Sequence, residues 1–173
     1  DKVFIGHVRA ATTGSKIDKN AHPFKENNIV LVHNGTLSNP WSICTHHGLS
    51  SSNYDVDSHV LCAVIGKENK PDVLSQIKGG AAIIFTDVTK PSYIYVFKNK
   101  DRPLFKGFID GCMYISSIEE SLEFIGCKNV KAFEDDILFT IKDGVIKNRL
   151  PIVNKPLETI TNTTNYYNNH HYY

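Results

Sequence analysis

Two Asp-Gly dipeptides in the second half of the chain constrain its fold more than any other feature. Asp110-Gly111 and Asp143-Gly144 are each flanked by segments of strand composition, and this arrangement is a strong signal for a two-residue β-hairpin turn. Composition agrees, because Ile and Val supply 31 residues against 10 Leu and 1 Met, and β-branched side chains favour strands. The sequence therefore predicts an α+β fold rich in antiparallel sheet and disfavours an all-helical bundle.

The other predicted elements alternate strands with short helices. Residues 29–32 are a continuous apolar run, which we expect to form a strand that is buried on both faces and ends at His33-Asn34-Gly35. A capping box over residues 117–120 predicts a helix that ends at Gly126. The remaining predictions, in chain order, are strands over residues 3–9, 81–85 and 93–97 and helices beginning near residues 40, 55 and 72.

Length and charge narrow the class of protein. The 173 residues suit one domain, which we place at residues 1–150, followed by a C-terminal extension over 151–173 whose Thr/Asn/Tyr-rich composition predicts disorder. No apolar run approaches the ~20 residues of a membrane span. The 16 Lys and 3 Arg are interspersed with 18 acids, so we expect neither a nucleic acid nor a membrane as partner.

Cysteine and histidine cluster between residues 44 and 62, which raises the question of a metal site. Their spacing matches no standard zinc pattern, so we predict no metal and no cofactor. We expect the cysteines to be reduced, since a neutral chain of this length does not need disulfides, and the protein to be cytoplasmic. The residues weighed as ligands are Cys44, His46, His47, His59 and Cys62.

Three positions have both a structural and a chemical interpretation. Arg9 ends a predicted strand beside a flexible loop, where it is either a surface arginine or a bidentate carboxylate ligand. Asp57 lies in the first turn of a helix, as a capping acid or as the partner of a substrate ammonium. Asn34-Gly35 is either a hairpin turn or an oxyanion hole, in which the Asn amide and the Gly N–H bind one developing negative oxygen.

Taken together, these segments resemble the class II glutamine amidotransferases, the glutaminase branch of the N-terminal-nucleophile hydrolases. The resemblance covers residues 3–150 and implies a four-layer αββα fold with two stacked, mostly antiparallel sheets, whose N-terminal portion is missing from this sequence. At position 59 a histidine stands where the family has glutamate. The matching segments, in family order, are residues 6–12 (GHVRAAT), 20–24 (NAHPF), 31–37 (LVHNGTL) and 56–61 (VDSHVL).

The resemblance also implies a reaction. The family hydrolyses L-glutamine to glutamate and ammonia, without a cofactor, and delivers the ammonia to an acceptor. The acceptor of this chain is unknown, and a separate synthase protein is the candidate partner. It implies that Asn34 and Gly35 form the oxyanion hole. It further implies that Arg9, with Thr12, binds the substrate α-carboxylate and that Asp57 binds the α-amino group.

The family's nucleophile is an N-terminal cysteine. The four cysteines of this sequence lie in segments where the family has no nucleophile. We therefore expect the chain alone to lack the nucleophile and to be inactive. Three alternatives stay open: a non-catalytic relative that binds or regulates, a γ-glutamyl amide hydrolase without ammonia transfer, and a sheet-rich interaction module. The four cysteines are Cys44, Cys62, Cys112 and Cys127.

Overall fold

The computed structural model describes residues 3–8, 17–68, 71–155 and 157. Within these ranges nine strands form two antiparallel sheets, and three α-helices accompany them. This confirms the predicted α+β architecture. In chain order the elements are β1 (Phe24–Glu26), β2 (Ile29–Leu37), α1 (Pro40–His46), α2 (Asp57–Glu68), β3 (Gly79–Asp87), β4 (Tyr93–Lys98), β5 (Phe105–Ile109), β6 (Cys112–Ser116), α3 (Glu119–Phe124), β7 (Lys128–Ala132), β8 (Ile137–Lys142) and β9 (Val145–Pro151). Short 3-10 helices span Asp18–Asn20, Ser51–Asn53 and Pro71–Ser75.

The two sheets are stacked, and each face of the larger one buries apolar side chains. The larger sheet has the order β1-β2-β3-β4-β8-β9 and the smaller one β6-β5-β7. Alternate residues of a strand face opposite sides, so Ile83 packs toward α1 and α2 while Ala82 packs toward the smaller sheet. The cluster between the sheets includes Val96, Phe139 and Phe133. The described chain therefore has one core on each side of the larger sheet.

Both Asp-Gly hairpins form as predicted. Asp110-Gly111 joins β5 to β6, and Asp143-Gly144 joins β8 to β9. All four residues have positive φ, between 48° and 80°, as a type I′ turn requires. Asp and Gly tolerate this conformation better than most residues, which explains why the dipeptide predicts the turn.

The start of the chain differs from the prediction. The strand expected over residues 3–9 is absent over the described residues 3–8, which have no regular secondary structure, and Phe4 is 88% exposed. A strand requires a neighbour to accept its backbone hydrogen bonds. Residues 3–5 share a pocket with Val30 of β2 and Thr86 of β3, but none of the described strands pairs with this segment. Alternating apolar residues alone could not reveal that absence.

Three further expectations are corrected. The capping box is wrong: Ile118 occupies the N-cap position of α3 without a side-chain cap, and its N–H donates to Ser116 Oγ at 3.0 Å. The strand expected to end at His33-Asn34-Gly35 instead continues to Leu37, because β3 pairs with it throughout. The helix predicted near residue 72 is one 3-10 segment, Pro71–Ser75.

Packing continues past the predicted domain boundary at residue 150. Ile152 N–H donates to the Asp136 carbonyl at 2.8 Å, and Lys155 N–H donates to the Ser75 carbonyl at 2.7 Å. The start of the expected C-terminal extension is thus hydrogen-bonded to the residue that precedes β8 and to the 3-10 segment. Residue 156 and residues 158–173 lie outside the described chain. In the part that is described, no helix is long and apolar enough to cross a membrane.

Candidate active site

The strand β1 is shorter than β2, so one edge of β2 is uncovered, without a paired strand, over the second part of its length. β1 pairs with β2 only between Ile29 and Leu31, whereas β2 runs on to Leu37. At the end of this uncovered edge the Leu37 N–H donates to Asp57 Oδ2 at 2.8 Å, while the Ser38 N–H points the other way, to the Lys78 carbonyl at 2.9 Å. Backbone N–H groups alternate in direction along a strand, so the Gly35 N–H points to the same edge as that of Leu37.

Position 35 requires glycine because the backbone of β3 approaches it closely. A Cβ on Gly35 would overlap the Gly80 carbonyl oxygen and would lie 2.6 Å from His33 Nε2. Asn34, the preceding residue, pairs with Ala82 and has its side chain on the face turned toward the smaller sheet. The Asn34 side chain and the Gly35 N–H therefore lie next to each other at the uncovered edge.

Asp57 begins α2 and is held by three hydrogen bonds. Its Oδ2 accepts the Leu37 N–H, and its Oδ1 accepts the Ser58 N–H at 2.8 Å and the Ser58 hydroxyl at 3.3 Å. The residue is 6% exposed, and its place at a helix N-terminus favours the negative charge. A carboxylate offers about four acceptor sites, so roughly one remains for a bound group.

His33 extends this network into the core. The His33 Nδ1 and Ser58 Oγ atoms are 3.0 Å apart. The Ser58 hydroxyl also donates to Asp57 Oδ1 at 3.3 Å, so Ser58 links the His33 ring to the carboxylate. Burial lowers the pKa of His33, with the Asp57 carboxylate acting in the opposite direction. His33 thus connects β2 to the N-terminus of α2 and helps to fix the orientation of Asp57.

These groups line one cavity of about 540 Å³ between the two sheets and α2. Its volume is in the range of small-molecule sites. Of the predicted site residues, the structure brings Asn34, Gly35 and Asp57 together in its wall. Arg9 and Thr12 lie outside the described residues.

The cavity wall also contains polar residues to which the sequence assigned no role, among them His33, Ser58 and Arg102. All three lie in segments that resemble the family's, but the contacts that give them a place in the cavity join parts of the chain that are far apart in sequence. The only available signal was position, since His33 and Ser58 adjoin predicted site residues.

The cysteine and histidine cluster does not form a metal site. Within the described ranges no three His, Cys, Asp or Glu side chains come together to hold a metal ion. His47 contacts Glu68 at 2.6 Å and Gln76 at 2.7 Å, and the buried Cys62 thiol donates to the Ile29 carbonyl at 3.6 Å. No cysteine is among the described residues that line the cavity.

The side chain at position 59, where the sequence departs from the family pattern, points away from the site. His59 Nε2 lies 2.7 Å from Glu26 Oε1, and the His59 ring stacks on Phe24 at 4.8 Å between centroids. Its side chain therefore joins α2 to β1, and it is not among the residues that line the cavity.

Comparisons with known proteins agree with the family resemblance of the sequence. No family model matches the sequence. The chain is 32% identical over 176 residues to an isomerising glutamine–fructose-6-phosphate aminotransferase of Thermococcus kodakarensis, a match that covers 91% of this chain and 29% of the relative. The chain thus spans less than a third of the length of that relative.

Solved structures share the fold. A glutamine phosphoribosylpyrophosphate amidotransferase from B. subtilis, complexed with ADP and GMP, matches with a TM-score of 0.68 and 23% identity, over 83% of this chain and 34% of that one. An allosteric regulatory enzyme of purine biosynthesis matches with a TM-score of 0.71 and 22% identity, over 87% and 35%. The fold is that of the N-terminal-nucleophile hydrolases. Together with the sequence match, it shows that the chain belongs to the class II glutamine amidotransferases.

Proposed function

We propose that this chain is the glutaminase part of an enzyme that hydrolyses the side-chain amide of L-glutamine to glutamate and ammonia. The observation that carries the proposal is the single cavity in which Asn34, Gly35 and Asp57 meet. It offers hydrogen-bond donors for a carbonyl oxygen and a carboxylate for an ammonium. Those are the groups at the two ends of a glutamine molecule.

In this proposal the uncovered edge of β2 is the oxyanion hole. The amide carbonyl of glutamine lies against the Asn34 side-chain amide and the Gly35 N–H, which point to the same region of the cavity. When the carbon becomes tetrahedral, its oxygen gains negative charge that both donors stabilise. One such donor contributes roughly 10²–10³ in rate.

The other end of glutamine is held by charge. Asp57, with roughly one acceptor site left, binds the α-ammonium. Arg9 binds the α-carboxylate with help from Thr12, and both of these assignments rest on the sequence resemblance. Because Asp57 and Arg9 hold the α-ammonium and the α-carboxylate at different places, the site would select the L-enantiomer of the amino acid.

The attacking group we propose is the thiolate of an N-terminal cysteine. It adds to the amide carbon, the C–N bond breaks, and ammonia leaves with the proton that the cysteine's α-amino group relays. Water then hydrolyses the thioester to glutamate and regenerates the thiol. The reaction needs a reduced cysteine, which suits the cytoplasm. The ammonia passes to an acceptor on a synthase, which is either a separate protein or a further domain.

Calorimetric titration of the chain tests the proposed binding site directly. L-Glutamine is expected to bind with a stoichiometry of one, whereas D-glutamine and L-asparagine are not. D-Glutamine exchanges the positions of the α-substituents, and the asparagine amide is one methylene too short to reach the oxyanion donors. Failure of L-glutamine to bind, or equal binding of the D-enantiomer, would contradict the proposed function.

The four cysteines of the chain are expected to be spared by a diazoketone analogue of glutamine, because none lines the described cavity wall. Burial raises the pKa of the Cys62 thiol to about 12, which leaves almost no thiolate at neutral pH. A general alkylating reagent serves as the control and should modify the exposed Cys112 first. Peptide mass spectrometry measures both. Diazoketone labelling of Cys44, Cys62, Cys112 or Cys127 would show that the nucleophile has been misassigned.

A further inference from the structure

Arg102 lines the same cavity as Asn34, over the face of β3 that is turned toward the cavity. A Cβ on Gly80 would be 3.1 Å from Arg102 Nε and 3.3 Å from Arg102 Cγ, so the arginine side chain covers Gly80 in place of a side chain there. Gly80 is opposite Thr36, and the next pair on the same face is Ala82 with Asn34. Two residues along a strand span about 7 Å. The arginine therefore sits one pair from Asn34, against the same cavity.

The Arg102 side chain has no neutralising partner in the described part of the chain. Its Nε is buried and makes no hydrogen bond, and no carboxylate among the described residues forms an ion pair with it. A guanidinium that is partly withdrawn from water and unpaired is unfavourable by itself. A negatively charged group in the cavity would supply both the missing hydrogen-bond acceptor and the missing counter-charge.

The position of Arg102 indicates which negative group this is. The α-carboxylate is assigned to Arg9 and the α-ammonium to Asp57, so the end of the ligand near Asn34 is its γ-end. Glutamine has a neutral amide there, whereas the product glutamate has a carboxylate. Resting on the proposed function, we propose that Arg102 binds the γ-carboxylate of glutamate and makes the site retain its product more tightly than its substrate.

Glutamine and glutamate differ only in that terminal group, which makes them a matched pair of ligands. Calorimetric dissociation constants are measured at pH 7 for the wild-type chain and for Arg102→Met. The substitution is expected to weaken L-glutamate binding by about tenfold or more, the value of a charge-assisted hydrogen bond. L-Glutamine affinity should change by less than about threefold, because its amide carries no charge to lose.

Two further variants separate charge from geometry and from folding. Lys100→Met removes a positive charge from an exposed position in the same loop and should leave both affinities unchanged. Arg102→Lys keeps the charge but loses the planar fork of donors, so it should weaken glutamate binding by an intermediate factor. If thermal melting shows that Arg102→Met does not fold, Arg102→Lys carries the test with the same pair of ligands.

Three results would overturn the inference. An equal loss of glutamine and glutamate affinity would mean that Arg102 binds the α-carboxylate or only shapes the cavity. Unchanged glutamate affinity in Arg102→Met or in its substitute would mean that Arg102 does not contact the γ-end. In both cases glutamine still binds the wild-type chain, and the proposed function stands. If neither ligand binds the wild-type chain, both proposals fail together.

Discussion

Replacement of Asp57 by asparagine is expected to lower the affinity for L-glutamine about a hundredfold, since removing one partner of a buried charge pair costs about 2–5 kcal/mol. The substitution preserves the size of the side chain and removes its charge. Calorimetric titration measures the loss. The physical reason is that the Asp57 carboxylate, already bound to Leu37 and Ser58, has an acceptor site left for the ligand α-ammonium.

A ligand without the amino group isolates this contact. The des-amino analogue 4-carbamoylbutanoate should bind Asp57→Asn and wild type with similar affinity, because it has no ammonium to lose. Asp55→Asn is the matched protein control, since Asp55 is exposed and pairs with Lys19 at 2.6 Å outside the cavity. If both ligands weaken equally in Asp57→Asn, Asp57 supports the fold of the site and does not bind the substrate.

Alanine at position 35 is expected to destabilise the chain by about 3 kcal/mol or more, at or above the usual cost of overpacking a core. The added methyl group would overlap the Gly80 carbonyl oxygen. That carbonyl is part of the backbone of β3 and can move only if the pairing of β2 with β3 is disturbed. The change in the free energy of unfolding is measured by urea denaturation.

Gly6 offers a matched control for this experiment. A Cβ built on Gly6 meets no atom within 4 Å, so Gly6→Ala should change the free energy of unfolding by less than about 0.5 kcal/mol. If Gly35→Ala is as stable as Gly6→Ala, the two strands do not approach as closely as described. Position 35 would then not require glycine for packing, and the reason for glycine there would have to be catalytic.

The parts of the fold that depend on local chemistry were predictable from the sequence. The hairpins at Asp110-Gly111 and Asp143-Gly144 follow from backbone preferences of two residues. The start of α1 follows from Pro40 at its first position, and Asp57 opens α2 as an acid suited to a helix N-terminus. Each of these signals lies within a few residues of the feature it determines.

Features that depend on distant partners were not predictable. Asn34-Gly35 has the local pattern of a turn, but pairing with β3 keeps it inside a strand. Residues 3–8 have the alternation of a strand, but no described strand pairs with them. Arg102 packs over Gly80 of β3, where a Cβ would lie 3.1 Å from Arg102 Nε, and the two residues are distant in sequence. The sequence thus indicated individual residues of the candidate site, but not the network that surrounds them.

The pairing of β4 with β8 has a consequence for how the chain folds. These neighbouring strands enclose the whole smaller sheet and α3 between them in sequence, and β2 and β3 likewise enclose both α1 and α2. The elements on each face of the larger sheet thus lie in one long connection between two of its adjacent strands. Joining distant strands carries a closure entropy that local contacts do not, so topology favours slow folding. We expect the hairpins to form first and the larger sheet to be completed last.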